Sequence, residues 1–154
     1  QARHGARLIS VSCEKSQVQA LAARLTYMLR EIKQSDPTIA IVRLPRDDSP
    51  LETPIEEEFR VGIIGLAFDD SRQMIQIDLQ AVSENDQEEP DFIDVDDLSG
   101  DQDILRVVIS PSVADQFSKR ALSVVNAGRQ PCPFCGGPID LRGHLCPRAN
   151  GYRR

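Results

Sequence analysis

The chain has 154 residues, of which 40% are hydrophobic and 27% are charged, and its formal net charge is -6. This composition excludes a fibrous or low-complexity chain, and the negative charge disfavours a surface adapted to nucleic-acid phosphates. No apolar run approaches the roughly 18 residues that span a bilayer. Three of the four cysteines are clustered, as in reduced compartments, so we expect a cytoplasmic protein.

The first element is predicted to be a strand. Residues 7–13 alternate, with Ile9, Val11 and Cys13 on one face and serines on the other, which is typical of a half-buried strand. On this pattern Cys13 is a small core residue and not a nucleophile.

A helix is predicted to follow this strand. Ser16 and Gln19 have capping-box spacing, and an apolar stripe at helical spacing runs from Val18 to Ile32. Asp36-Pro37 ends the helix. Residues 36–58, which contain four prolines, are predicted to be an irregular connection.

The next two segments are predicted to pair as a hairpin. Residues 59–68 are apolar on both faces, as in a central strand, and their glycines, Gly62 and Gly65, indicate a bulge or a close packing contact. Residues 73–82 alternate apolar and polar side chains, and the four residues between the segments have turn composition.

An acidic segment separates this hairpin from the last strand. Residues 84–103 contain ten acidic and no basic side chains. They lack the spacing of a calcium-binding loop, so we predict a solvated irregular loop. Its apolar residues form a candidate docking strip: Phe92, Ile93, Val95 and Leu98.

A second strand and helix are predicted beyond the acidic segment. Residues 105–109 alternate, Ser110-Pro111 has the composition of a helix start, and Gly128 ends the helix. The predicted buried side of this helix consists of its larger apolar residues: Val113, Phe117, Ala121, Val124 and Val125.

The two strand-helix units resemble each other at an offset of 96 residues, which places Cys13 on Ile109 and suggests an internal duplication. The second unit has two strands before it. If both halves are built alike, we expect a further hairpin upstream of Gln1.

Four potential metal ligands lie close together near the C-terminus. Cys132, Cys135, His144 and Cys146 have C-x2-C-x8-H-x-C spacing, which supplies the complete tetrahedral shell of a structural zinc site. The alternatives are a redox dithiol at Cys132-Pro-Phe-Cys135 and a catalytic or incomplete metal site. The Gly-Gly-Pro that follows Cys135 cannot start the helix that lowers a redox thiol pKa.

The C-terminal tail is basic and has one aromatic residue after the ligands. Its candidate contact residues for an anion or a partner are Arg148, Tyr152, Arg153 and Arg154, because arginine forks suit phosphate and carboxylate. The alternative is a solvated tail that pairs with the chain's own acidic surface.

The run from Cys132-Pro-Phe-Cys135-Gly through Gly143-His-Leu-Cys146-Pro-Arg-Ala-Asn-Gly-Tyr-Arg-Arg154 resembles an actinobacterial family of unknown function, DUF family 3090. The similarity extends to Gln1-Ala-Arg, Glu14-Lys15, residues 56–62 and residues 121–133. The resemblance implies an additional N-terminal hairpin. It also implies genes beside those of a phosphoglycerate-mutase-like protein and a lipid-kinase-like protein, which are therefore candidate partners.

Together these features predict an α+β fold, in which an antiparallel sheet carries two helices on one face in a pseudo-duplicated arrangement. Residues 1–128 are predicted to form this domain, with irregular loops at 36–58 and 84–103. Residues 129–154 are predicted to form a zinc-ribbon-like module with a basic tail.

The leading function hypothesis is a non-enzymatic adaptor or interaction module. The alternative is an enzyme or accessory subunit acting on a phosphorylated or anionic small molecule, which requires a pocket lined by the tail arginines. The third is nucleic-acid binding through the ribbon, which the net charge disfavours.

Overall fold

A computed structural model of the chain describes residues 1–82, 92–93, 102–127, 132–136, 139, 144, 146 and 148. The predicted α+β class is confirmed, because the described residues form one six-stranded sheet and two helices that pack against each other. The elements in chain order are β1 (Ala2–His4), β2 (Arg7–Ser12), α1 (Lys15–Ser35), β3 (Glu57–Asp69), β4 (Met74–Ala81), β5 (Phe92–Ile93), β6 (Ile104–Ile109) and α2 (Pro111–Ala127).

The sheet is mixed, whereas the sequence predicted an antiparallel one. Its strand order is β1-β2-β3-β4-β6, and β5 also pairs with β3. The β1-β2, β3-β4 and β4-β6 pairs are antiparallel, but β2 and β5 each run parallel to β3. Parallel neighbours need a long crossover connection, and residues 13–56, including α1, supply it between β2 and β3.

The central hairpin forms as predicted, with a bulge at Gly62. Phe68 lies opposite Ile75, and the register shifts between Val61 and Ile63. A Cβ atom on Gly62 would lie 2.8 Å from the Cα of Val82. Gly62 is therefore both the bulge residue and a close backbone contact, the two roles that a strand glycine predicts.

Helix α1 has the predicted stripe but a different N-cap. The cap is Glu14 and not Ser16, and the Gln17 side chain accepts a hydrogen bond from the Glu14 backbone N–H at 2.8 Å. The buried residues of the helix are Gln17, Leu21, Ala22, Leu25, Leu29 and Ile32. The helix ends at Ser35, directly before Asp36-Pro37, as predicted.

The predicted buried side of α2 is wrong in three positions. Val113, Phe117 and Val124 are exposed, and the buried face instead consists of Pro111, Ala114, Ser118, Ala121 and Val125. Small side chains let two helices approach closely, and Ser118 tolerates burial because its hydroxyl donates to the Ala114 carbonyl at 2.8 Å.

The main core lies between α1, α2 and one face of the sheet. Its largest fully buried side chains are Leu25, Ile64 and Ile75, none more than 1% exposed. The prediction that Cys13 belongs to this core is wrong, because Cys13 follows the end of β2 and is exposed. In β2 the buried residue is Ser10, which the alternation had placed on the outer face.

The irregular connection is confirmed from residue 36 to residue 56, beyond which β3 begins. Most of the acidic segment lies outside the described residues, as do Val95 and Leu98, but Phe92 and Ile93 form β5 on β3. The two helices start 96 residues apart, at Lys15 and Pro111, yet the duplication stays a prediction. Neither described helix is long and apolar enough to cross a membrane.

Candidate metal centre

The structure brings the four predicted metal ligands together. The donor atoms of Cys132, Cys135, His144 and Cys146 all lie within 4.8 Å of one another. Residues 136–143 separate the two halves of this cluster in the sequence, so the chain folds back to form it. The cluster can therefore hold a metal ion, as its spacing predicted.

A tight turn positions the first two thiols. The Gly136 N–H donates a hydrogen bond to the Cys132 carbonyl at 2.8 Å, which closes the turn around Cys135. Gly136 has a φ of 73°, a conformation that favours glycine because it has no Cβ atom. The Cys-Pro-Phe-Cys-Gly sequence therefore forms a knuckle with Cys132 and Cys135 at its two ends.

Two of the distances between donor atoms can be compared with those of a tetrahedral shell. The Cys132 and Cys146 sulfurs are 3.7 Å apart, and the Cys135 sulfur lies 3.2 Å from His144 Nε2. A tetrahedron with metal–sulfur bonds of about 2.3 Å has sulfur–sulfur edges of about 3.8 Å. The Cys132–Cys146 pair already has this spacing, whereas the sulfur–nitrogen distance is shorter than the edge of about 3.5 Å that a metal–nitrogen bond of about 2.0–2.1 Å gives.

The surroundings of Cys132 favour its thiolate form. Burial alone would raise the pKa of this thiol, but hydrogen bonds from the backbone N–H groups of Cys135 and Phe134 and from the Cys146 and Cys135 thiols lower the pKa below its usual value. Zinc binds thiolates and not thiols. The knuckle backbone therefore supplies electrostatic stabilisation to one metal ligand before any metal is considered.

Cys13 has the opposite character. Its thiol pKa is raised by partial desolvation, which favours the neutral form, and it lies outside the cluster. Reactive cysteines are thiolates, so the raised pKa gives no support to a nucleophilic Cys13, whose absence of a catalytic role stays a prediction.

The residues of the basic tail are only partly described. Arg148 is exposed, and its Nη1 donates to the Phe134 carbonyl of the knuckle at 3.2 Å. Tyr152, Arg153 and Arg154 lie outside the described residues, so their role in contacting an anion or a partner stays a prediction.

An ion pair that includes a buried carboxylate on the sheet was not predicted from the sequence. The Asp78 carboxylate is fully buried on β4 and receives three hydrogen bonds, at 2.9, 3.2 and 2.7 Å, from the exposed side chain of Arg106 on β6, which lies directly opposite. Gln76 also donates to it at 3.0 Å. The available signal was an acidic and a basic residue at the outward positions of two strands, but their pairing requires knowing that β4 and β6 are neighbours.

The family model for DUF3090, described as a protein of unknown function, matches residues 1–146. The match includes all four residues of the cluster and ends at Cys146. No curated protein and no solved structure matches the chain.

Proposed function

The chain belongs to the DUF3090 family, and we propose that it is an interaction module whose C-terminal part is ordered by a structural zinc ion. Cys132, Cys135, His144 and Cys146 hold the ion. The protein acts as a non-enzymatic adaptor, and the segment around and after the ligands is the part that it presents to a partner. A phosphoglycerate-mutase-like or a kinase-like protein is the partner that the family resemblance suggests.

The observation that carries this proposal is the complete set of donors in one cluster. Three thiols and one imidazole fill the four positions that zinc takes in structural sites, and a catalytic zinc site keeps one position open for water or substrate. Two of the thiols are buried, which suits a closed site. The bound ion would hold the knuckle and the chain around His144 together, and it would not take part in a reaction.

Metal content tests the first half of the proposal. Purified protein should contain about one zinc per chain by elemental analysis, and Cys132→Ser or Cys146→Ser should lower this to near zero. Cys13→Ser is the matched control and should retain the metal, because Cys13 lies outside the cluster. A folded wild-type protein without stoichiometric metal would refute the zinc site.

Partner capture tests the second half. The full chain and a chain ending after Pro147 are used as baits in an extract of the native host, with Cys132→Ser as a third bait. Partners that require both the metal site and the residues from Arg148 onward support the adaptor function. Partners that bind all three baits equally would show that this segment is not the interaction surface.

A further inference from the structure

The knuckle between the first two ligands has an aromatic residue on its outside. Phe134 is 61% exposed, and Pro133 beside it is also exposed. The same turn carries Cys132 and Cys135, so the backbone that positions two ligands also sets where the Phe134 side chain leaves the main chain. An aromatic side chain has only two χ angles to restrict when a partner binds it, and aromatic residues are common at binding hot spots.

Arg148 lies next to the main chain of Phe134. Its guanidinium bonds to the main-chain carbonyl of Phe134 at 3.2 Å, and the residue is two positions after Cys146. Both residues are therefore close in the sequence to metal ligands: Phe134 lies between Cys132 and Cys135, and Arg148 follows Cys146. A guanidinium has five N–H donors, so its bond to one carbonyl leaves donors that can bind a carboxylate in the bidentate geometry that suits arginine.

The charge of the segment specifies the kind of partner. Residues 129–154 contain five arginines and one acidic residue, in a chain whose net charge is -6. A ring that is 61% exposed on a turn is not the wall of a deep pocket for a small anion. A peptide with carboxylates for the guanidinium and an apolar side chain for the ring fits both groups.

We infer that Phe134 and Arg148 form a docking surface for an acidic peptide segment of a protein partner, with an apolar side chain of the peptide on the Phe134 ring and a carboxylate on Arg148. This inference rests on the proposed function, because the metal site places the two residues side by side. It adds the chemical class of the partner and a contact residue, Phe134.

The test uses three labelled octapeptides and the zinc-loaded full chain in fluorescence anisotropy. The first peptide alternates Glu with Leu, the second Gln with Leu, and the third Glu with Ser. Only the first should bind well, because the second lacks carboxylates and the third lacks apolar side chains. The measurement is repeated with Asp94, Asp96 and Asp97 changed to Asn, which weakens competition from the chain's own acidic segment. Binding to either form of the chain supports the inference, and binding to neither overturns it.

Variants then locate the contact. Phe134→Ala and Arg148→Ala should each weaken binding of the Glu-Leu peptide roughly ten-fold, as expected for a contact at the centre of an interface. Phe117→Ala, which removes another exposed ring, and Arg72→Ala, which removes another exposed guanidinium, are the matched controls and should change little. Equal effects of the two pairs of variants would mean that the peptide binds elsewhere or only through net charge.

The two proposals can fail separately. Every variant is checked for about one zinc per chain, so a loss of binding with the metal retained is a loss of contact and not of folding. A metal-loaded chain that captures partners through its C-terminal segment but binds none of the peptides would leave the adaptor function standing and remove the acidic-peptide inference. Loss of the metal itself from wild-type protein would remove both.

Discussion

The sheet-and-helix part of the molecule and the described residues from 132 onward differ in what they bury. In the first, the buried residues are mostly apolar and come from every layer, such as Leu25 on α1 and Ile64 and Ile75 in the sheet. Among the described residues from 132 onward, the two that are buried are thiols, Cys132 and Cys146. A hydrophobic core stabilises the sheet-and-helix part, and metal ligation is the source of stability that the Cys and His cluster can supply to the residues around it.

This difference implies that the two regions respond to different perturbations. Each fully buried large apolar side chain contributes roughly 1.5–3 kcal/mol to the stability of a core, so truncation of one side chain removes only part of that stability. A structural zinc ion contributes on the order of 10 kcal/mol to the folding of the segment that binds it, so removal of the ion should unfold that segment completely. Four perturbations, in decreasing order of expected effect, test how separate the regions are.

Removal of the metal should have the largest effect and should be confined to the C-terminal segment. A zinc chelator, or Cys135→Ser, should abolish the dispersed amide resonances of the described ligands Cys132, His144 and Cys146, because on the order of 10 kcal/mol of binding energy is lost. Residues of α1 and β4 should keep their chemical shifts in the same heteronuclear NMR spectrum. If the chelator also unfolds α1, the two regions form one cooperative unit and the comparison fails.

A cavity in the apolar core should destabilise the sheet-and-helix part and leave the metal bound. Leu25→Ala removes a side chain that is 0% exposed, and the lost contacts together with the cavity should lower the free energy of unfolding by about 2–5 kcal/mol in urea denaturation. Leu51→Ala, at a side chain that is 51% exposed, should change it by less than about 0.5 kcal/mol.

The metal content measured on the folded Leu25→Ala protein should remain about one zinc per chain. A folded variant that has lost its zinc would show that the core supports the metal site directly, which the comparison does not anticipate.

Local patterns predicted the elements and the ligands. The strands and helices have clear periodicities, and the ligand spacing is short enough that Cys132, Cys135, His144 and Cys146 could be selected from the sequence. A bulge or close contact at a strand glycine was also predictable, but the sequence did not distinguish Gly62, which forms the bulge, from Gly65, which pairs regularly with Asp78. These features depend on residues that are near one another in the chain.

Features that depend on distant segments were missed. The parallel pairing of β2 with β3 follows from the path of residues 13–56, which no local pattern records. The pairing of Asp78 with Arg106 requires β4 and β6 to be neighbours. The buried face of α2 was wrong because larger apolar residues were preferred to Ala114 and Ser118, whereas the contact with α1 favours small ones.

A methyl group at Gly62 should disturb the sheet without affecting the metal. In Gly62→Ala the new Cβ would meet the Val82 backbone at 2.8 Å, and backbone cannot rotate away as a side chain can. We expect a loss of about 1–3 kcal/mol in the free energy of unfolding, typical of overpacking. Gly5→Ala measures a different cost, because no atom lies within 4 Å there and only its φ of 58° is strained. An unchanged free energy of unfolding in Gly62→Ala would contradict the close contact.

The smallest effect is expected at Gln17, a polar residue that joins α1 to the sheet. Its side chain is 4% exposed, its Nε2 donates to the Val61 carbonyl at 3.0 Å, and its Oε1 accepts from the Glu14 N–H. Gln17→Ala should cost about 1–2 kcal/mol, because the Val61 carbonyl and the Glu14 N–H lose a partner.

Gln17→Glu distinguishes this hydrogen-bond role from mere filling of space. The introduced carboxyl would be buried beside the Val61 carbonyl, which favours its protonated form and raises its folded-state pKa. A carboxyl group whose pKa is raised in the folded state makes its full contribution to stability at pH values below its unfolded-state pKa of about 4.3. This contribution is lost as the pH rises through the folded-state pKa. Urea denaturation should therefore find the variant closest to wild type at low pH and weaker at neutral pH. Gln19→Glu, at an exposed position of the same helix, should show no such trend. Parallel pH profiles for the two variants would mean that Gln17 only fills space between α1 and β3.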